Sequence, residues 1–345
     1  MPPIWWRISI RRWPKLRPEV GLSLEQDERR GIGSVETRFH TFAHQDTLAL
    51  RSGEALGPIT LSYETHGQLN AERDNVILVF HALSGSHHLA GYTAEVPDVG
   101  ARWNEECHVG WWDRFVGPGK AVDTDRFFVV CANYLGGCYG STGPSSINPN
   151  TGCPYGASFP HVRAADVVDS QIQLLDHLEI DQAVIAGHSL GGFMSLSFNV
   201  AHPDRVKALV LQGCGPGYRR DEPRLAWNER AERRARTLEE GGLPALGGGA
   251  EVGESVQGSA NGLALAARGI LSQVDSRVMD SVKVISVPTL VICGDGDKPY
   301  VDGARYMGDR IPGATYVEVP GAGHGVNVEK PDAVNAALEA FLVDL

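Results

Sequence analysis

Polar and apolar positions along the chain form two kinds of segment in alternation. Residues 59–67, "ITLSYETHG", alternate as a half-buried strand does. Further runs at 75–82, 126–134, 182–187, 207–213, 288–294 and 315–321 are short and rich in β-branched or aromatic residues. Runs such as "NVILVFHA" and "PTLVICG" have almost no polar positions, which fits strands buried on both faces of a sheet. Between several of them the period lengthens to that of a helix. In 164–180, "AADVVDSQIQLLDHLEI", the residues Ala165, Val168, Ile172, Leu175 and Leu178 recur at spacings of three and four and predict one buried stripe. Residues 194–202 and 332–345 carry further helical patterns.

Strand, helix and strand in alternation imply parallel pairing through right-handed crossovers, so the expected architecture is a doubly wound, mostly parallel α/β sheet. The rhythm breaks between 218 and 275. There a charged helical stretch, "RLAWNERAERRARTLEEGG", is followed by the glycine-rich "LPALGGGAEVGES". Insertions between sheet strands commonly lie over the carboxyl edge, where α/β proteins bind ligands, so 218–275 is expected to form a small helical cap. The organisation predicted is a poorly ordered N-terminal arm over 1–35, an α/β core over 36–217 and 276–345, and the cap between the two parts of the core.

Composition narrows the classes of function. Of 345 residues 42% are hydrophobic, enough for a sizeable core, and the formal net charge of −11 argues against a nucleic-acid partner. Six cysteines are scattered without a CxxC pair or zinc-type spacing, as expected of reduced thiols in a cytoplasmic protein. No run approaches the roughly 20 apolar residues needed to cross a bilayer. Residues 1–20 mix tryptophans with arginines but lack the apolar segment and cleavage site of a secretory signal. Disorder is expected of this arm rather than membrane contact. Oligomeric state is not legible, and a homodimer is left open.

The chemistry gathers where strand patterns end. In "AVIAGHSLGG", Ser189 sits in a G-x-S-x-G turn between an apolar strand and a helix, the setting of a nucleophile elbow. A serine hydroxyl needs a base to take its proton and an acid to orient that base. In such elbows the order along the chain is serine, acid, histidine. Downstream, "TLVICGDGDKPY" offers Asp295 and Asp297 just past a strand, and position relative to the strand end favours Asp297. His324 follows the strand of "TYVEVPGAGH". His188, beside the serine, is expected to point elsewhere. An oxyanion needs amide donors. Leu190 N–H, just after the nucleophile, is one candidate, and Leu83 N–H in the loop "HALSGSHH" is the other. His81, His87 and His88 have no carboxylate nearby in ligand rhythm, so neither a metal nor another cofactor is expected.

Four stretches, "GPITLSYETHGQLN", "HALSGSHHLAG", the long block at 110–156 and "FP" at 159–160, resemble the homoserine O-acetyltransferase family of α/β-hydrolase proteins. The match runs over about 57–192. The resemblance implies the α/β-hydrolase fold, a serine–acid–histidine triad using Ser189, Asp297 and His324, an acyl-enzyme intermediate and an oxyanion donor at Leu83. Family members usually read Gly-Gly-Ser-Met-Gly-Gly at the elbow, where this chain has His188 and Leu190. Their histidine stands in a Gly-His-Asp context, where Gly325 follows here. The family's cap signature is missing from 218–275, and with it the expected means of excluding water. The activity expected is therefore a serine esterase cleaving small acetyl-type esters. Homoserine O-acetyl transfer from acetyl-CoA is the alternative, and a non-catalytic ligand receptor is a second one. Tyr139, Arg219 and Arg220 are candidates to line the substrate site, the arginines because a guanidinium pair can bind a carboxylate.

Overall fold

The structure, a computed structural model, describes residues 31–44, 47–83, 85–246 and 260–345. Most of the predicted arm and the glycine-rich part of the predicted cap lie outside the described residues.

Eight strands form one sheet: β1 (Arg38–Phe42), β2 (Ile59–His66), β3 (Val76–Phe80), β4 (Phe128–Ala132), β5 (Ala183–His188), β6 (Val206–Gln212), β7 (Thr289–Gly294) and β8 (Thr315–Val319). Their order is β1-β2-β4-β3-β5-β6-β7-β8. β2 pairs antiparallel with both β1 and β4. From β4 to β8 all pairings are parallel. This is the α/β-hydrolase fold, as expected. β1, "RFHTF", was not anticipated, because it has neither a continuous apolar run nor clean alternation.

The central strands read as continuous apolar runs because each serves two cores. Alternate side chains leave opposite faces of a strand. Leu78, Phe80, Ile185 and Leu211 enter the core beneath helices α1 (Ala164–His177) and α2 (Leu190–Ala201). Their neighbours Ile77, Val79, Val184 and Val210 enter a second core on the other face. That core is closed by helix α6 (Pro331–Leu342) and by the segment around Trp112 and Phe115.

α1 buries more than the predicted stripe. Val167 and Leu174 are fully covered, whereas Ala165 and Leu178 are only partly so. The helix lies in a groove between the sheet and α2 rather than on a flat face.

After β6 the chain forms α3 (Asp221–Gly241) and α4 (Ala260–Gly269), and after β7 it forms α5 (Val301–Arg310). α3 and α4 share a small core of their own, Ala235 and Leu238 against Ala264 and Ala267. Arg268 on α4 bridges Glu232 and Glu239 on α3. A Cβ at Gly269 would lie 2.1 Å from the Val162 carbonyl oxygen, so α4 is packed tightly on the loop that leads into α1. Among the described residues no helix is long and apolar enough to cross a membrane.

Candidate active site

β5 ends at His188, and the chain turns into α2 within one residue. Ser189 makes that turn at φ 58° and ψ −118°, a backbone region that L-residues avoid. Two glycines make it sterically feasible. A Cβ on Gly187 would sit 2.2 Å from the Gly191 carbonyl, and one on Gly191 would sit 2.0 Å from the Phe80 carbonyl oxygen. The second contact also places the end of β3, and the loop of Leu83 that follows it, against the elbow. The Ser189 N–H donates to the Gln212 carbonyl at 2.8 Å, tying the turn to β6.

β5, β7 and β8 run parallel, so the residues following them converge at one edge. Ser189 Oγ lies 2.8 Å from His324 Nε2, and His324 Nδ1 lies 2.8 Å from Asp297 Oδ2. Asp297 is buried and the imidazole is partly open to solvent. The arrangement holds Nδ1–H on the carboxylate and leaves the Nε2 lone pair for the serine proton.

Asp295, the competing acid, instead accepts the Gly321 N–H at 2.8 Å and shapes the loop that carries His324. Glu329 accepts the Gly323 N–H at 2.8 Å in the same loop. His188 turns inward, where its Nδ1 accepts from Gln212 Nε2 at 3.2 Å. Burial, with the His324 charge adding, pushes its pKa down to about 3, so it stays neutral beside the triad.

Leu190 is the first residue of α2, so its N–H has no carbonyl of its own helix to meet. Leu83 is 47% exposed at the loop beside the elbow. Tyr300 was not singled out from the sequence. Its ring stacks on His324 at 4.9 Å between centroids and an interplanar angle of 23°. The only sequence signal was an aromatic residue three positions past Asp297.

The structure does not bring the predicted substrate residues together. The Tyr139 side chain, a candidate to line the substrate site, is buried with Val96, Val99 and Trp103 in a separate cluster. Arg219 donates from Nε to Asp280 Oδ1 at 2.8 Å and is committed to that surface pair. Arg220 is exposed at the start of α3, with no ion-pair partner among the described residues.

The neighbouring histidines do have a carboxylate, though not one close in sequence. Glu64 on β2 is fully buried, with both its oxygens 3.0 Å from His88 Nδ1. His66 and His87 approach the same carboxylate at 3.8 and 3.9 Å. His88 Nε2 donates to the His108 carbonyl at 3.0 Å, so one proton is left for Nδ1 and the carboxylate to share. Burial raises the Glu64 pKa, against the lowering effect of His88. Among the described residues no group of three His, Cys, Asp or Glu is arranged to hold a metal ion.

The α/β hydrolase fold family model matches residues 75–242. A homoserine O-acetyltransferase of Solidesulfovibrio magneticus is 46% identical over 181 residues, which is 52% of this chain and 43% of that protein. A homoserine O-succinyltransferase of Azoarcus sp. is 49% identical over 190 residues, 55% of this chain and 48% of that protein. The chain thus spans about half the length of the curated relatives it matches. A crystal structure of homoserine O-acetyltransferase from Bacillus anthracis aligns with TM-score 0.72 and 22% identity over 89% of this chain and 97% of that one. An esterase crystal structure aligns with TM-score 0.73 and 24% identity over 89% of this chain and all of that one.

Transferase and esterase share the fold, so fold alone does not choose between them. The sequence relatives do. Their names are those of homoserine acyltransferases, and this overturns the esterase expected from the elbow and the missing cap signature. The protein has the α/β-hydrolase fold, and its resemblance to the homoserine acyltransferases holds.

Proposed function

We propose, from this fold and these relatives, that the protein transfers a short acyl group, acetyl or succinyl, from a coenzyme A thioester to the hydroxyl of homoserine. The observation that carries the reading is the identity of 46–49% to homoserine O-acetyl- and O-succinyltransferases, joined to a serine, histidine and aspartate in hydrogen-bonded sequence.

In this reading Ser189 Oγ attacks the thioester carbonyl as His324 Nε2 takes its proton. The oxyanion is met by the N–H groups of Leu190 and Leu83, and the positive end of α2 adds to their effect. Collapse of the adduct breaks the carbon–sulfur bond, and His324 returns the proton to the departing thiolate. The homoserine hydroxyl then gives its proton to His324 and attacks the acyl-serine. Collapse of this second adduct breaks the bond from Ser189 Oγ to the acyl carbon, and His324 returns the proton to Oγ as the O-acyl product leaves. Asp297 holds the imidazole tautomer throughout and remains a carboxylate.

The insertion at 218–275 supplies the cover in this proposal, since it starts just past β6 at the triad edge and its far end returns there, Gln273 Oε1 accepting the Tyr218 N–H at 3.2 Å. Arg220, lying beyond the Gly213 turn that passes beside His324, is the guanidinium assigned to the acceptor carboxylate.

The test is to incubate the protein with homoserine and either acetyl- or succinyl-coenzyme A, and to follow free thiol, O-acylhomoserine and free acid together. O-acylhomoserine should account for most of the thiol released, and Ser189→Ala should abolish it. Thiol release matched by free acid would overturn the transfer reading. Arg220→Ala should raise KM for homoserine without changing KM for the thioester.

A further inference from the structure

We infer that Tyr300 is a positioning residue for this chemistry, seating the His324 ring between Ser189 and Asp297 and favouring the imidazolium formed when the serine proton is taken. The inference rests on Ser189 being the activated nucleophile. Two hydrogen bonds of 2.8 Å fix the ends of the imidazole but leave it free to rock about the line joining its nitrogens. A ring stacked on its face removes that freedom, and Tyr300 supplies one at 4.9 Å and 23°.

The acid and the aromatic ring stand on the same turn. The Tyr300 and Val301 N–H groups both donate to the Asp297 carbonyl, at 2.9 and 2.8 Å, and the Ala304 N–H donates to the Tyr300 carbonyl at 2.8 Å. The carboxylate presented to Nδ1 and the ring presented to the imidazole face therefore move as one piece with the start of α5. The face of an aromatic ring carries negative charge density and attracts a cation placed over it.

The following described groups around His324 act on it differently. Asp297 binds in the ring plane at Nδ1. The His188 ring lies 5.4 Å away and is tilted by 36°, and it is kept neutral by burial and by the His324 charge. Asp295 and Glu329 are turned to the Gly321 and Gly323 amides. The Cys293 thiol faces Asp297 Oδ2 at 3.8 Å, and burial raises both its pKa and that of Cys214 beyond the neutral range.

A fluorophosphonate probe tests the inference without reference to any acyl acceptor, since labelling forms the Oγ–phosphorus bond and expels fluoride. Labelling rate is measured from pH 5 to 9 for wild type, Tyr300→Leu and Tyr300→Phe, with thermal unfolding as the check on folding. Tyr300→Leu should lower the plateau rate roughly 3- to 30-fold and move the acid limb down by about half a pH unit. Tyr300→Phe keeps the π face and should stay within about 2-fold of wild type with the limb unmoved. Tyr300→Met, similar in volume and without a π face, carries the same comparison should the leucine variant not fold.

Wild-type rate and acid limb in the leucine or methionine variant would overturn the inference. So would a phenylalanine variant that falls as far as they do. Wild-type protein that labels but makes no O-acylhomoserine overturns the acceptor proposed above and leaves this comparison intact. Wild-type protein that does not label overturns both.

Discussion

At the scale of single residues, the candidate site separates two aspartates that lie two positions apart in one turn. Only Asp297 reaches the imidazole, while Asp295 holds the Gly321 amide. Asp297→Asn should present a donor to Nδ1 and impose the wrong tautomer, lowering kcat by roughly 10³–10⁴-fold with KM little changed. Asp295→Asn keeps an oxygen for Gly321 and should stay within about 3-fold of wild type. Steady-state kinetics on both variants decide the matter, and equal losses would deny Asp297 its special place. Ser189, Asp297 and His324 were legible in the sequence because each stands a few residues past the end of a strand, where the chain order of elbow, acid and base restricts the choice. Tyr300 and Glu64 were not. The Tyr300 ring meets His324 only through the convergence of β7 and β8, and Glu64 meets His88 only because the 81–113 segment folds back over β2. Contacts of that kind leave no period in the sequence.

At the scale of elements, the elbow is where the fold carries backbone strain. Ser189 at φ 58° occupies a conformation that costs a non-glycine residue about 1–3 kcal/mol. Ser189→Gly should therefore stabilise the protein by about 1 kcal/mol while abolishing activity, as read by denaturant midpoint. A loss of stability would show that the turn is relaxed. Gly187→Ala should act in the opposite sense. Its Cβ would fall 2.2 Å from the Gly191 carbonyl, which forces α2 away from the sheet and should cost about 2–3 kcal/mol or more. The strands were read within a few residues because double burial imposes an unbroken apolar run. α1 was read too narrowly, since a helix wedged between sheet and helix buries Val167 and Leu174 as well as the predicted stripe. The insertion misled the functional reading for a different reason. A missing cap signature says nothing about whether α3 and α4 can exclude water.

At the scale of the whole molecule, the histidines decide how the fold meets acid. His66 and His81 are lowered to about 4 and His188 to about 3, and His87 lies well below the ordinary 6.5, with desolvation the leading cause in each case. Such a group binds its proton more readily in the unfolded chain. Its contribution to stability is present above pH 6.5 and is lost as the pH falls toward the folded value. Glu64 works in the other direction. Its raised pKa means that the folded state holds a proton the unfolded chain has released, so its contribution is full below about 4.5 and fades as the pH rises. His40 is lowered as well and Asp166 is raised, so five histidines stand against two carboxyls. Stability should therefore fall between pH 6 and 4, each unprotonated histidine adding at most about 1.4 kcal/mol per pH unit to the slope. His66 tests this most cleanly. Neither of its ring nitrogens has a hydrogen-bond partner among the described residues, so His66→Phe removes a titrating group without orphaning a neighbour. Urea unfolding from pH 4 to 8 should give that variant a slope shallower by about 1 kcal/mol per unit, with stability at pH 8 close to wild type. An unchanged slope would mean that His66 takes up its proton in the native state, with the Glu64 carboxylate 3.8 Å away as the counter-charge that permits it.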